Sequence, residues 1–405
     1  MLDILKTRQK RLISLIKEID YTREEFGFLN SKERLIALIG ARGVGKTTLL
    51  LQYLSQYSTD EALYIVVDDI AVVNFGIIAI VEEFYALGGR IVVIDEVHMF
   101  KEWAGHIKNI YDFMPDLTIR VSGSSMLNIL LQSYDLSRRM VIRELKHLNF
   151  KEYMEITNNT KLQSYHFDEI LTNAADISFE LTQRYPLLYK QFKDYLKIGV
   201  YPYFTESDDK LNYQSKLFNC IEKIIYEDIP STNKIKFENL SIFKKLIYKV
   251  CESKKPYQVK IDTLAKELKI SEPTLYTYLD ILNKTGVFRA IYKYSSKQTK
   301  KPSKIFFANT NISYALSEDL GIATEIGTIR ETYFTSCFAP KEIYYSDIGD
   351  FRVKDFIFEV GGKNKSFSQI KDIPNSYLAL DIDMTSNNKK IPLWLFGFLP
   401  SYLNA

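Results

Sequence analysis

Through Ser125 the chain alternates between two kinds of apolar patterning. Residues 35–39, 62–67, 91–94 and 117–121 are short uninterrupted apolar runs. Such runs carry no polar alternation and read as strands buried on both faces. Between them, apolar residues recur at helical spacing: after Thr48, over 77–87 with Gly88-Gly89 as a stop, and over 104–113 ahead of Pro115. Strands alternating with helices predict an α/β fold with a parallel, doubly wound sheet, whose ligands sit at the carboxyl ends of the strands. Residues 1–30 predict an amphipathic helix with Leu5, Leu12, Leu15, Ile16 and Ile19 inward and Arg8, Lys10 and Arg11 on the solvated face. From Phe150 to Lys210 the pattern is helical and rich in tyrosine, with one sharp break at Gly199-Val200-Tyr201-Pro202.

Three polar groups fall at the predicted carboxyl edge. The first strand runs into Gly40-Ala41-Arg42-Gly43-Val44-Gly45-Lys46-Thr47-Thr48, which fits G-x-x-x-x-G-K-[ST] in the strand–loop–helix setting that motif needs. Glycines let the backbone close on a phosphate, and the N–H groups and dipole of the helix start add positive potential. Lys46 would reach the β- and γ-phosphates of ATP, and the Thr47 hydroxyl would ligate Mg²⁺. Asp95, ending the third strand, is expected to hold Mg²⁺ through its water shell. Glu96, on the opposite face of an extended strand, would take the proton of the attacking water. Ser122 and Ser124, at the tip of the fourth strand, would orient that water or touch the γ-phosphate. Arg138 or Arg139 would reach the γ-phosphate of an adjacent subunit.

Several nucleotide-dependent classes are excluded. Asp95-Glu96-Val97-His98 spells DExH, but no second alternating lobe of a helicase follows residue 150. The LSGGQ signature of transport ATPases is absent, and Asn283-Lys284-Thr285-Gly286 lacks the aspartate of a guanine-reading NKxD.

Residues 211–310 read as a separate module. A helix over 261–268, a turn at Lys269-Ile270 and a second helix capped by Ser271, with Leu275, Leu279 and Leu282 inward, lead to a hairpin over 287–294 and 304–307. That is a winged helix-turn-helix. The wing carries Arg289, Lys293, Lys297, Lys300, Lys301 and Lys304 with no acidic residue between them. Lys297, Lys300, Lys301 and Lys304 are therefore candidate DNA phosphate contacts. The second helix offers Glu272, Thr274, Thr277 and Asp280, a poor set for reading bases. Residues 311–405 open with a helix, continue with short strands and end in Ile391-Pro-Leu-Trp-Leu-Phe-Gly-Phe-Leu399, read as a buried strand.

Composition changes little. A net charge of +3 neither demands nor excludes nucleic acid, and 46% apolar with 25% charged residues is ordinary for a globular chain. Cys220, Cys251 and Cys337 lie far apart, so neither a disulfide framework nor a cysteine metal site follows, and a reducing cytoplasm is expected. The longest apolar run, 70–81, is too short to span a bilayer and contains Asn74 and Gly76; no signal peptide is expected either.

The segments GARGVGKTTLL, IVVIDEVHMFKEW, RVSGSSMLNIL, DLSRRM with LNFKEY, and IGVYPYF together resemble a bacterial and archaeal group of AAA+ ATPases close to the STAND signalling ATPases. The resemblance implies an AAA+ core (1–150), a helical lid (151–210), a winged helix (211–310) and a C-terminal restriction-endonuclease-like α/β domain (311–405). It also implies that Arg138 or Arg139 is an arginine finger and that residues 199–202, Tyr201 and Pro202 among them, pack near the base. Ala41 replaces a proline common in the group, and Val200 replaces the second glycine of GGYP. A PD-(D/E)xK nuclease site would draw on Glu331, Asp350, Glu359 and Lys363, although Glu359 and Lys363 are separated by more than that motif's single residue. The expectations are Mg-dependent ATP hydrolysis coupled to DNA contact or, alternatively, a STAND-like switch binding protein partners; self-association is a further candidate partnership.

Overall fold

The computed structural model describes residues 1–400 except 101, 124–135, 207–208, 233–234, 254 and 296–300. It consists of two compact units, Met1–His147 with Glu227–Lys234, and Leu148–Tyr226 with Ile235–Ala405.

The first unit is built on five parallel strands: β1 (Leu35–Ile39), β2 (Ala62–Val66), β3 (Ile91–Asp95), β4 (Thr118–Gly123) and β5 (Met140–Glu144), in the order β2-β3-β4-β1-β5. All five residues of β1 and of β3 are buried, as their unbroken apolar runs require. The fifth strand was not legible in the sequence: at the sheet edge only Met140 is fully covered. Helices α1 (Leu2–Ile16), α2 (Phe26–Leu29), α3 (Lys46–Leu54), α4 (Ile70–Phe75), α5 (Ile77–Ala86) and α6 (Trp103–Phe113) accompany the sheet. Asp69 caps α4 by accepting the Ala71 N–H (2.9 Å).

Helix α1 buries Leu5 of the expected face, but with Leu2 and Gln9 beside it; Leu12 and Ile16 are only half-buried and Leu15 is 65% exposed. The reason lies in β2, an edge strand whose backbone needs partners. Gln9 supplies them: its amide donates to the Ala62 carbonyl (3.0 Å), and its oxygen accepts the Tyr64 N–H (2.8 Å).

In the second unit, the helices Phe150–Asn158, Phe167–Arg184 and Leu188–Lys197 share a core with the C-terminal residues. The Phe150 ring meets Phe192 at 5.2 Å and Phe398 at 5.9 Å. The segment expected as a lid is thus packed within its own unit. Helices Leu240–Cys251, Ile261–Leu268 and Glu272–Lys284 accompany an antiparallel sheet of β6 (Tyr257–Gln258), β7 (Phe288–Ile291) and β8 (Lys304–Phe307), ordered β6-β8-β7. Ser271 caps its helix, accepting the Thr274 N–H at 3.3 Å, and Leu275 and Leu282 are fully buried.

After helices Thr310–Asp319 and Ile326–Ser336 comes the last sheet: β9 (Ile343–Tyr345), β10 (Phe351–Val353), β11 (Phe356–Gly362), β12 (Ser376–Asp381) and β13 (Lys390–Pro392). Its order is β13-β12-β11-β10-β9, antiparallel from β9 to β11 and parallel from β11 to β13. The terminal apolar run is not one strand. After β13 it winds into a 3₁₀ helix, Leu393–Phe398, buried on every side. Burial all round removes the periodicity that separates helix from strand.

Candidate functional site

β4 lies between β1 and β3, so the carboxyl ends of those three strands are adjacent. Ile39 pairs with Gly123, and Ile94 with Val121. The loop leaving β1 presses on β5: a Cβ on Gly40 would lie 2.3 Å from the Leu145 carbonyl oxygen. Gly45 enters α3 at φ +95°, a conformation that costs glycine little. Arg23, buried, braces the assembly from behind by donating to the Lys146 carbonyl at 2.7 Å. Residues 40–48 therefore run as a tight loop from the end of β1 into the start of α3.

Lys46, 5% exposed, donates to the Gly40 and Ala41 carbonyls, both at 3.0 Å. Burial holds its ammonium below the usual lysine range, with Glu96 and Asp95 pulling the other way. Asp95, 2% exposed, accepts from three hydroxyls: Thr47 (2.7 Å), Tyr64 (2.6 Å) and Ser122. The Glu96 N–H also donates to it at 3.1 Å. The donors to Asp95 among the described residues are neutral and orient its charge, which Lys46 feels without donating to it. Thr47 and Asp95 together offer hard oxygen donors, the set Mg²⁺ takes alongside substrate phosphates and water.

Glu96 is not on an extended strand. β3 ends at Asp95, and Glu96 turns back at φ +56°, held by N–H donation to Asp95 and to Ser122 Oγ (3.2 Å). A left-handed non-glycine residue costs about 1–3 kcal/mol and persists where its surroundings dictate it. The turn leaves Glu96 Oε2 buried with no hydrogen bond; His98 Nδ1 lies 3.2 Å away but outside hydrogen-bonding geometry. Burial pushes the Glu96 carboxyl up, against the pull of Lys46, with Asp95 adding to the rise. Burial pushes His98 down to about 4, so the ring stays neutral at pH 7.

The other expected residues fare differently. Ser124 lies outside the described residues. Arg139 is forked onto Asp112 of its own chain (2.8 and 3.1 Å), while Arg138 is exposed. Tyr201 is 3% exposed inside the second unit, stacked with Tyr203 at 5.5 Å, its hydroxyl accepting from Asn309 (3.1 Å). The break at residues 199–202 is explained by packing. Asn311 accepts the N–H groups of Gly199 (2.9 Å) and Val200 (3.0 Å), and a Cβ on Gly199 would lie 2.8 Å from the Tyr153 ring. Pro202 simply opens a 3₁₀ turn, Pro202–Glu206.

On the wing, Lys297 and Lys300 lie outside the described residues, and Lys301 is exposed. Lys304 is not available to a phosphate: it is buried and paired with Glu331 at 3.1 Å. Lys363 is exposed, and the lysine that reaches Glu359 is Lys365, Nζ to Oε1 2.5 Å. Asp350 accepts the Val360 N–H (2.8 Å), pinning β11 to the turn before β10. Nearby, Asp381 is held by Lys193, by Arg330 (2.9 Å) and by Tyr189 (3.1 Å). Among the described residues no three His, Cys, Asp or Glu side chains are grouped to hold a metal ion. Glu331, Asp350 and Glu359 of the expected nuclease site lie close enough to act on one another's charge, with Lys365 among them in the place expected for Lys363.

Sequence reasoning missed Tyr64, Lys365 and Asp228. Asp228 takes Arg42 of the phosphate loop from 186 residues away. Tyr64 could have been found from topology, since β2 borders β3; nothing local marks Asp228.

Residues 32–154 match the model of an AAA domain, and residues 189–325 that of a domain of unknown function, DUF8612. An uncharacterized protein of Methanocaldococcus jannaschii, MJ1637, is 31% identical over 314 residues, 73% of this chain and 65% of its own length. A second from the same organism, MJ1544, is 22% identical over 352 residues, 83% of this chain and 74% of its own. The chain thus spans 65% of the length of the first of these relatives. Among solved structures, AMPPCP-bound DnaA from Aquifex aeolicus aligns over 67% of this chain and 86% of its own, with 16% identity and a TM-score of 0.27. The Hsp104–ADP complex of S. cerevisiae aligns over 82% and 56%, with 16% identity and a TM-score of 0.31. No described helix is long and apolar enough to cross a membrane.

Proposed function

Taking as premise that residues 32–154 are an AAA domain, we propose that this protein binds ATP with Mg²⁺ at the β1–α3 loop and hydrolyses it. The observation that carries the reading is Glu96. A carboxylate oxygen is buried without a hydrogen bond, beside a phosphate cradle, on a backbone turned to hold it there.

Each group has a role. The N–H groups of residues 43–47 bind the β-phosphate, and Lys46 leaves its two carbonyl partners for the β/γ bridge. Thr47 and Asp95 would hold Mg²⁺, which neutralises charge on the phosphates. Glu96 accepts the proton of the attacking water as the oxygen bonds to the γ-phosphorus, and ADP leaves. Its raised basicity suits that task. Ser122 fixes the Glu96 amide and hence the carboxylate. Ser124 joins it in this proposal from outside the described residues. Arg138, exposed just before β5 at the amino end of the parallel strands, away from its own cradle, is the finger offered to a second copy of the chain.

For the second unit, the order helix, β6, helix, helix, β7, β8 supports a winged helix-turn-helix. Its DNA contacts are narrowed to Lys301 with Lys297 and Lys300. For the domain after residue 311, the grouping of Glu331, Asp350 and Glu359 with Lys365 supports a nuclease-like site, and no cleavage step is derived from it.

One experiment tests the core reading. ATP affinity and phosphate release are measured for the wild type, Lys46→Ala and Glu96→Gln across protein concentration, with and without duplex DNA. Lys46→Ala should lose binding. Glu96→Gln should bind yet hydrolyse about 10²–10⁴-fold more slowly. Unchanged turnover in the Gln variant refutes Glu96 as the base. A rate per subunit independent of concentration refutes the finger, and DNA binding absent at low salt refutes the wing.

A further inference from the structure

The phosphate cradle is completed by residues that lie elsewhere in the sequence. The chain re-enters the first unit at Glu227–Lys234. Residues Ile224–Asp228 form a π-helical turn, followed by the short helix Ile229–Thr232. Pro230 explains the widened turn, since it has no N–H to continue an α-helical ladder and its ring displaces the turn before it. The result delivers Asp228, 2% exposed, to the loop. Its two oxygens meet Arg42 Nη2 (2.7 Å) and Nε (3.4 Å), with Glu227 Oε2 at 3.7 Å from the same guanidinium. Ser231 Oγ donates to the Asp228 carbonyl at 2.8 Å.

The pairing sets a carboxylate against the phosphate loop. Arg42 is one of the variable residues of the cradle, beside Lys46, and a guanidinium there is well matched to a phosphate. Instead its fork is taken by a carboxylate. That carboxylate is itself repelled by anything anionic in the loop. Burial lowers the Arg42 pKa, yet Asp228, with Glu96 and Glu227, outweighs it and raises it.

We propose that Asp228 is a positioning residue that competes with the bound polyphosphate for Arg42, so that filling the nucleotide site loosens the strap 227–232 and emptying it re-seats the strap. The inference rests on the nucleotide-binding reading above. It gives the switch alternative a physical element: occupancy of the cradle changes how firmly a distant stretch of chain is held. Asp228 sets affinity by opposing it. A residue with only a structural role would, when changed, weaken binding.

The test measures ATP affinity by calorimetry in Mg²⁺ for the wild type, Lys46→Ala, Asp228→Asn, Arg42→Gln and the double variant of the last two. Amide hydrogen exchange of residues 228–231 is followed in the wild type with and without ATP. Asp228→Asn keeps the size and should bind ATP about tenfold more tightly, the scale of one charge-assisted hydrogen bond released. Arg42→Gln should weaken binding, and on that background adding Asp228→Asn should change it less than about threefold. Exchange over 228–231 should rise when ATP is added to the wild type, a readout that needs no variant to fold. Equal or weaker binding by Asp228→Asn, or exchange that falls with ATP, overturns the inference while leaving nucleotide binding intact. A wild type that binds no ATP, like Lys46→Ala, overturns both.

Discussion

Buried carboxylates in the two units are handled in opposite ways. In the first, Asp95 is surrounded by hydroxyls and an amide, all neutral. In the second, Glu331 faces Lys304, Glu359 faces Lys365, and Asp381 faces Lys193 and Arg330. Hydroxyls fix a carboxylate's direction and leave its charge to attract a cation that arrives with substrate. Ammonium and guanidinium groups cancel the charge in advance and turn the acid into a fastener. A list of acidic residues in the sequence cannot distinguish the two arrangements; their neighbours can.

The largest effect that would break this comparison concerns turnover. Asp95→Asn should cost at least about 100-fold in Mg²⁺-dependent ATP hydrolysis, because it removes charge that neutral donors cannot replace. Asp350→Ala and Glu359→Gln should leave that rate within about twofold. A comparable loss in all three, measured by phosphate release, would mean that the second set of acids also serves the reaction.

Stability gives the complementary test. Above pH 7, where Glu331 is ionised, Lys304→Met should destabilise the second unit by up to about 3–5 kcal/mol, since it strands that charge in a buried place. Adding Glu331→Gln should recover most of the loss in urea unfolding. A cost below about 1 kcal/mol would put the pair among ordinary surface contacts and undo its description as a fastener.

The two units should also respond oppositely to pH, by smaller amounts. Burial pushes Glu331 up to about 7, with Lys304 opposing, so the folded form holds its proton more tightly than the unfolded one. That contribution is complete below about pH 4.5 and is lost as pH rises through 7, up to roughly 3 kcal/mol. His98, pushed down to about 4 by burial, works the other way. Its contribution, also roughly 3 kcal/mol, is present above about pH 6.5 and lost as pH falls toward 4. Thermal unfolding of Glu331→Gln and His98→Asn between pH 4 and 8 should flatten one limb each. The same pH dependence in both variants would refute the assignment.

What could be read from the sequence follows the same line between local and remote causes. β1, β3 and β4, the phosphate loop and the turn-and-cap of Ser271 were legible because each is set by a run of adjacent residues. The inward face of α1 was not, because Gln9 is buried to satisfy the backbone of β2. Glu96 was placed in the right neighbourhood on the wrong backbone, since a left-handed turn in a non-glycine residue leaves no compositional trace. Lys304 looked like part of a basic wing until Glu331, supplied by a later helix, claimed it. Lys365 stood two residues past the lysine the motif pointed to, across a turn that spacing rules do not follow.

The returning strap also orders events at the ribosome. The five strands and the cradle are all encoded before His147, yet the partner of Arg42 is roughly 80 residues further on (147 to 228). At about 5–20 residues per second, the nascent first unit waits roughly 4–16 s with its arginine unclaimed. During that interval the carboxylate proposed to compete for the guanidinium does not yet exist. If the cradle takes ATP as proposed, the nucleotide would meet Arg42 before Asp228 has been made.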